Sequence, residues 1–224
     1  RGCPVMLRLL FSKTGNAVWI SHLDLMRLFQ RAFQRAGLPL THTKGFNPRP
    51  SVSIALPMSV GVSRVCELLD FSLDGQEVPC LEIRDRLNGA LVSGIRILDV
   101  YPDGGKLKNL AWMDCRLRLE YDEGIPENAV SELRTLFSRD SLPVEKKNKN
   151  GVSEQDLIPM LRSVEIVPED AHILVMQARV HCQNPTLNPM QLCAAITRYM
   201  PELTPDFSSC MRMEIYDENG NRFR

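Results

Sequence analysis

The 224-residue chain lacks the sequence features that mark membrane and secreted proteins. No apolar run approaches the roughly 18 residues that a membrane-spanning helix needs. The stretch from Arg1 to Phe11 is too short for a signal peptide, and Arg8 interrupts it. A content of 44% hydrophobic and 24% charged residues is that of an ordinary globular protein. We therefore expect a cytoplasmic protein with no membrane partner.

The seven cysteines do not form a recognisable metal or redox motif. No C-x-x-C pair occurs, which argues against a zinc site and against a thioredoxin-like site. No three cysteines cluster as an iron–sulfur site requires. Glycine-rich phosphate-binding loops, the G-x-S-x-G nucleophile motif and the H-E-x-x-H zinc motif are absent as well. The sequence therefore predicts reduced, mostly buried thiols, no metal site and no cofactor.

Charge is distributed unevenly, although the 27 basic and 27 acidic residues cancel over the whole chain. Residues 1–64 contain nine basic residues and a single acidic one, Asp24, which gives this segment a net charge of +8. An asymmetry of this kind indicates a surface that binds a polyanion. The alternative is that the two halves of the chain pack together and neutralise each other.

The order of apolar segments predicts an α+β fold in two halves. In the first half, strand-like and helix-like segments follow one another as β-α-β-(β)-α-β, which is the order of a ferredoxin-like unit. Proline, aspartate and two glycines at residues 102–105 are typical of a linker, and a second, similar series follows. We predict duplicated ferredoxin-like halves with antiparallel sheets, a basic N-terminal lobe at residues 1–102 and a C-terminal lobe at residues 107–224.

The clearest single element is a helix that begins after Ser21. Asp24 lies three residues later and completes a capping box, and Gly37 ends the helix. Apolar residues at three- and four-residue steps predict its buried face: Leu23, Met26, Phe29, Ala32, Phe33 and Ala36, widened by Leu25 and Leu28. Three arginines at i, i+4 and i+8 predict a basic edge on the opposite side: Arg27, Arg31 and Arg35.

A loop rich in polar residues, glycine and proline follows at residues 41–50. Gly45 allows the backbone to approach a ligand, Phe46 can stack on a base, and Lys44 and Arg49 attract phosphate. Aromatic and cationic residues interleaved in this way suit single-stranded nucleic acid. The alternative is a structural loop with Phe46 tucked into the core.

Three residues are candidates for catalysis. Asp24 is a lone carboxylate among arginines, so its pKa should be depressed and the group should stay ionised, as a nucleophile or a substrate-orienting group requires. Its position near the positive end of a helix explains it equally well as a capping acid. His22 at the helix start and His42 in the loop would form an acid–base pair if the fold brings them together. Two histidines without a fixed spacing are more often ordinary polar residues.

Five segments near the N-terminus form a family pattern: FSKTG at 11–15, ISHLDLMR at 20–27, RAGLPL at 35–40, GFNPRP at 45–50 and ALPMSVGV at 55–62. Together they resemble a bacterial radical-SAM-linked domain of unknown function, which occurs alone or fused behind a radical SAM protein. The resemblance implies a radical SAM protein as partner and a link to RNA or ribosome maturation. It does not carry the partner's iron–sulfur chemistry to this chain, which lacks the cysteine triad.

Three hypotheses about function follow. The leading one is an accessory module, not catalytic by itself, that binds RNA, a ribonucleoprotein or another polyanion. In it, the cations of the helix and the loop contact phosphates and Phe46 stacks on a base. The second is an RNA-modifying or RNA-cleaving enzyme, similar in fold to pseudouridine synthases or CRISPR endonucleases, in which Asp24 or the two histidines act. The third is a protein-interaction subunit whose basic face meets the acidic half of a second copy of the chain.

Overall fold

The structure is a computed structural model that describes residues 6–56, 62–75, 77–102, 105–148 and 151–224. Residues 103 and 104 of the expected linker, and most of the segment 55–62, lie outside these ranges. The chain divides into two compact units. Unit 1 comprises Arg1–Asn109 with Phe223–Arg224, and unit 2 comprises Leu110–Arg222. The division therefore falls a few residues beyond the proposed linker, and the last two residues of the chain belong to unit 1.

Unit 1 has the βαββαβ order of a ferredoxin-like fold. Its elements are β1 (Leu7–Lys13), α1 (His22–Arg35), β2 (Val52–Ile54), β3 (Ser63–Phe71), α2 (Cys80–Ala90) and β4 (Ile95–Pro102). The strands pair in the order β4-β1-β3-β2, and each of these pairings is antiparallel. The predicted fold class is confirmed for this unit.

Unit 2 repeats this arrangement with one insertion. Its elements are β5 (Leu110–Glu120), α3 (Ala129–Phe137), β6 (Pro143–Asn148), β7 (Gly151–Asp156), β8 (Leu161–Pro168), β9 (Ile173–His181), α4 (Met190–Tyr199) and β10 (Phe207–Asp217). The sheet order is β10-β5-β9-β8, again with antiparallel pairings. The strands β6 and β7 form a separate hairpin between α3 and β8. The duplication predicted from the order of segments is therefore present in the fold.

The core of unit 1 lies between its two helices and the sheet, and aromatic rings fix the position of α1. The ring of Phe29 meets Phe11 of β1 edge-on, with 4.9 Å between the ring centroids. One turn later, Phe33 packs against Phe71 of β3 at 4.8 Å. Aromatic pairs at such distances stabilise a fold beyond the apolar area that they bury. They determine which side of α1 faces the sheet and which side faces solvent.

Leu23 does not belong to the buried face of α1, contrary to the expectation from the sequence. Its side chain is 68% exposed, whereas Leu25 is buried. Residues two apart on an α-helix point about 200° away from each other, so only one of the two can face the sheet. Trp19, which ends a short 3-10 helix (Gly15–Trp19), is 69% exposed. The chain therefore presents exposed apolar surface at and just before the first turn of α1.

The cysteines of the described residues are free thiols, and most of them are buried. All six described cysteines are free and five are buried. Burial raises the pKa of Cys182 and of Cys193 to about 11, which makes both poor nucleophiles at neutral pH.

Among the described residues, no three histidine, cysteine or acidic side chains are placed to hold a metal ion. No helix in this part of the chain has both the length and the apolar character needed to cross a membrane.

Candidate functional site

Part of the positive charge of residues 1–64 lies inside unit 1 rather than on its surface. Arg8 of β1 is fully buried and donates two hydrogen bonds to the Asp70 carboxylate, Nε to Oδ1 at 2.6 Å and Nη2 to Oδ2 at 3.0 Å. Nη2 also donates to the carbonyl of Gly105 at 2.9 Å. The ring of Phe223 lies 5.1 Å from the guanidinium carbon. Arg8 is therefore part of the fold and not of a binding surface.

Two further cations of this segment are buried as well. Arg64 lies 3.2 Å from the carboxylate of Glu67, and both side chains are buried. Lys13, opposite Arg64 in the pairing of β1 with β3, donates from Nζ to the carbonyl of Ile20 at 2.6 Å. Burial, and then repulsion by Arg64, lower the pKa of Lys13. The net charge of +8 counted from the sequence therefore overstates the charge on the surface.

Five cations of the segment remain exposed: Arg27, Arg31, Arg35, Lys44 and Arg49. We call this set the basic surface. Its members are the five cations that the sequence suggested for phosphate binding. Asp24 is the one acid in residues 1–64, and it is exposed too. Arg1 lies outside the described residues. The positive charge that a ligand could meet on this segment thus comes from α1 and from the loop after it.

The serine half of the predicted capping box is present at the N-terminus of α1. The Ser21 hydroxyl accepts a hydrogen bond from the Asp24 backbone N–H at 3.2 Å and donates one to Asp24 Oδ2 at 2.7 Å. Arg27 donates from Nη1 to Asp24 Oδ1 at 3.2 Å. The Ser21 hydrogen bond, followed by the one from Arg27, lowers the pKa of the Asp24 carboxyl. Both carboxylate oxygens are thus engaged in local contacts that a capping role explains.

Replacing Ser21 with alanine should destabilise unit 1 by about 1 kcal/mol, because α1 loses its side-chain cap. The measurement is the midpoint of urea unfolding, followed by circular dichroism. Ser53→Ala, on the exposed side of β2, is the matched control and should change stability by less than about 0.5 kcal/mol. Equal effects of the two substitutions would contradict the capping role of Ser21.

A groove of about 600 Å³ runs between α1 and the segment that follows it. Arg27 and Arg31 line one wall, and His42 and Pro50 line the other. The structure thus brings two arginines of the helix and one of the candidate histidines to a common site. His22 is exposed at the first residue of α1 and is not among the residues that line this groove. Within residues 6–56, no hydrogen bond joins the two histidines.

Arg35 differs from the other two arginines of α1. Its Nη2 donates to the carbonyl of Ala90, at the C-terminal end of α2, at 2.6 Å. A cation at this place also interacts favourably with the negative end of the helix dipole. Arg35 does not line the groove. It therefore has a role in joining α1 to α2, whereas Arg27 and Arg31 are turned towards the groove.

The loop after the groove is closed at its base and exposed at its tip. The backbone N–H of Thr43 donates to the carbonyl of Arg49 at 2.8 Å, and the N–H of Arg49 donates to Oγ1 of Thr43 at 3.1 Å. Lys44 and Phe46 project from the closed loop, and Phe46 is fully exposed. The alternative that Phe46 is tucked into the core is therefore wrong. Gly45 has φ = +150°, a conformation that residues with a Cβ rarely adopt.

The sequence reasoning missed Trp19 as part of this region. The patterns in the sequence predicted nothing about the Trp19 side chain. In the 3-10 helix that forms there, Ala17 is buried and Trp19 is exposed. The signal available in the sequence was the position of a tryptophan two residues before the cap serine Ser21, outside the regular pattern of the helix.

These features define a protein of two ferredoxin-like units, one of which carries two exposed arginines at a groove and exposed aromatic rings in the segments before and after α1. The chain belongs to the family described as "Uncharacterized protein conserved in bacteria (DUF2344)", whose model matches residues 6–189. The match includes the whole of α1 and the loop at residues 41–50. A bacterial domain of unknown function, as the N-terminal segments suggested, is therefore confirmed.

Solved structures support the fold. The chain is similar to a chain in the crystal structure of a Cbf5-Nop10-Gar1 complex, with 8% identity and a TM-score of 0.51 over 95% of this chain. It spans 50% of the length of that chain. At this identity the likeness shows the fold alone.

Two further structures have TM-scores too low to carry an argument. They are an unknown protein from Galdieria sulphuraria (12% identity, TM-score 0.27, 94% of this chain and 99% of that chain) and DyPB from Rhodococcus jostii RHA1 (14% identity, TM-score 0.21, 92% and 89%). Comparison with curated proteins finds no match.

Proposed function

We propose that this protein binds RNA, or another polyanion, through α1 and the loop of unit 1, as an accessory module for a radical SAM protein. The observation that carries the binding part is the exposure of four cations: Arg27 and Arg31 line the groove, and Lys44 and Arg49 lie in the loop after it, which also carries the exposed Phe46. Folding leaves these side chains in water, although it buries three other cations of the same segment. Exposed cations of this kind are the groups with which proteins contact phosphates.

The spacing of the two groove arginines suits a ligand with repeated charge. Arg27 and Arg31 are four residues apart on α1, which separates them by about 6 Å along the helix axis. Arg27 is already oriented by Asp24, and His42 faces both arginines across the groove. An RNA strand lying in the groove would therefore meet positive charge from the helix, while Lys44 and Arg49 contact the RNA from the loop.

The radical SAM partner rests on the resemblance of residues 11–62 to the radical-SAM-linked domain. In this proposal the radical SAM protein supplies the reaction, and the present chain holds the RNA.

The test of the binding proposal is a salt titration with a fluorescein-labelled single-stranded RNA of 12 nucleotides, followed by anisotropy. Four phosphate contacts predict that the logarithm of the binding constant falls with the logarithm of salt at a slope of about −3. Between 50 and 200 mM salt the affinity should then decrease about 50-fold. No binding at 50 mM salt, or binding that does not change with salt, would contradict the proposal.

An RNA-processing enzyme is the second candidate, and the position of His42 in the groove is the observation that favours it. A histidine beside two arginines could move a proton on an RNA held there. Incubation of the protein with RNA, followed by chromatography of the products, tests this candidate. Turnover that His42→Ala abolishes while RNA affinity is unchanged would support it. Intact RNA would favour the accessory role.

A further inference from the structure

We infer that the ligand of the basic surface is single-stranded nucleic acid, and that Trp19 and Phe46 stack on its unpaired bases. This inference rests on the proposed function and adds to it the class of ligand and a second stacking residue, Trp19. The observations are the exposure of both rings, the way in which the fold holds each of them in solvent, and their place in the two segments that precede and follow α1, the helix that carries Arg27 and Arg31.

Trp19 is held outward by contacts on both sides of it in the chain. The buried Lys13 donates from Nζ to the carbonyl of Ile20 at 2.6 Å and to that of Val18 at 3.4 Å. Ala17, two residues before Trp19, is buried. A buried lysine amine is thus placed on the two carbonyls that flank the tryptophan. The backbone here is fixed from within unit 1, while the indole ring remains 69% exposed.

The start of this segment is fixed as well. The backbone N–H of Thr14 donates to the carbonyl of Gly94 at 2.8 Å. Gly94 has φ = +86°, and a Cβ at this position would lie 2.5 Å from the carbonyl oxygen of Thr14. The close approach therefore requires a glycine. The 3-10 helix that ends in Trp19 is attached to the loop before β4 at one end and to Lys13 at the other.

Phe46 is presented in a comparable way by the loop at residues 41–50, which contributes His42 and Pro50 to the lining of the groove. The hydrogen bonds between Thr43 and Arg49 close the loop below it, so the ring is carried on a short, defined turn. Its side chain is fully exposed, and Lys44 and Arg49 flank it at the surface. The exposed ring offers a stacking face to a base. The cations on either side of it in the chain offer positive charge to the phosphates of the same nucleic-acid strand.

The arrangement fits unpaired bases better than a duplex. Trp19 lies three residues before the first residue of α1, Arg27 and Arg31 lie on α1, and Phe46 lies in the loop that contributes His42 and Pro50 to the groove. Base faces are covered in a duplex, and aromatic stacking is how proteins recognise unstacked bases in single strands. Arginines that hold the phosphates would leave the bases free to reach a ring on either side.

The experiment compares three ligands at equal phosphate concentration: a single-stranded 12-nucleotide RNA, a blunt duplex of the same sequence, and inorganic polyphosphate. Trp19→Ala and Phe46→Ala should each weaken single-stranded RNA binding by roughly 5-fold or more, the effect of losing one base–aromatic stack. Neither substitution should change polyphosphate binding. Leu81→Ala, which removes another exposed apolar side chain (64% exposed, on α2), is the matched control and should change nothing.

A fluorescence measurement gives a second readout. The chain has two tryptophans, so Trp112→Phe leaves Trp19 as the sole tryptophan. Single-stranded RNA should quench its fluorescence, and polyphosphate should not. The alanine variants keep Trp112. Their affinities therefore test the inference even if Trp112→Phe perturbs unit 2.

The outcomes separate the inference from the proposed function. Salt-sensitive binding of RNA and polyphosphate with equal affinity, unchanged in Trp19→Ala and Phe46→Ala, would overturn the inference and leave polyanion binding intact. A preference for the duplex would also overturn it. Failure of all three ligands to bind would contradict the proposed function itself, and would point to a protein surface as the partner of the exposed rings.

Discussion

Replacing Asp70 with alanine is expected to lower the stability of unit 1 by about 3–5 kcal/mol, because the substitution removes the carboxylate that neutralises a buried guanidinium. Arg8 is fully buried, and Asp70 accepts two of its hydrogen bonds at 2.6 and 3.0 Å. The hydrogen bond to the Gly105 carbonyl and the contact with the Phe223 ring involve neutral groups, which do not compensate a full positive charge. Because β1 is a central strand of the sheet of unit 1, the loss of stability should affect the whole unit rather than a local segment.

The midpoint of urea unfolding measures this effect, and two variants control it. Asp85→Ala removes the partner of Arg84 in an ion pair at the surface, which solvent screens, so its effect should be much smaller. A double replacement, Arg8→Met with Asp70→Leu, removes both charges and should recover much of the stability that Asp70→Ala loses. A shift for Asp70→Ala no larger than that for Asp85→Ala would contradict the structural role of this pair.

Reversing the charge of the two groove arginines, Arg27 and Arg31, should weaken RNA binding more than any other substitution considered. The double variant Arg27→Glu/Arg31→Glu removes two phosphate contacts, which makes the salt slope less steep by about 1.4 and weakens binding at 50 mM salt by about 50-fold. Repulsion by the new carboxylates adds to this loss. Both side chains are exposed, so the substitutions should leave the fold intact, which circular dichroism checks.

The matched control is Arg84→Glu/Arg96→Glu, which makes the same change in net charge at α2 and β4 of the same unit. It should weaken binding only slightly, because these side chains do not line the groove. An equal loss in the two double variants would show that overall charge, and not the groove, attracts RNA. No loss in either variant would place the binding site elsewhere.

The order of elements could be predicted because each segment follows a simple periodicity. In α1, Phe29 and Phe33 recur at the spacing of one helix face, and a cap residue and a glycine delimit the helix. Antiparallel ferredoxin-like units follow from the order of such segments when each has an apolar face. The periodicity did not determine the edge of the apolar face, so Leu23 was assigned to the core although it points to solvent.

The distribution of charge could be predicted only in part. A count along the sequence treats every arginine as a surface group, but Arg8 is neutralised by an aspartate 62 residues away in the chain. Such a partner is decided by strand register, which a single sequence does not show. The cations of α1 and of the loop were identified correctly as exposed, because they lie opposite an apolar helix face or among glycine and proline.

The aromatic residues of the site could not be settled from the sequence. Phe46 stands in a loop without periodicity, where burial and exposure are equally compatible with its neighbours. Trp19 lies in a five-residue 3-10 helix, which is too short to leave a clear pattern. Both positions depend on hydrogen bonds made by other residues: the contacts of Lys13 beside Trp19, and the Thr43–Arg49 pair below Phe46.

The central claim is that α1 and the loop of unit 1 form the binding surface, and NMR mapping on ¹⁵N-labelled protein tests it most directly. Addition of the single-stranded 12-nucleotide RNA at 50 mM salt should shift the backbone amides of residues 19–34 and 42–49, and the indole N–H of Trp19. The amides of α2 should not move. Shifts confined to unit 2, or the absence of shifts in α1 at saturating RNA, would contradict the account.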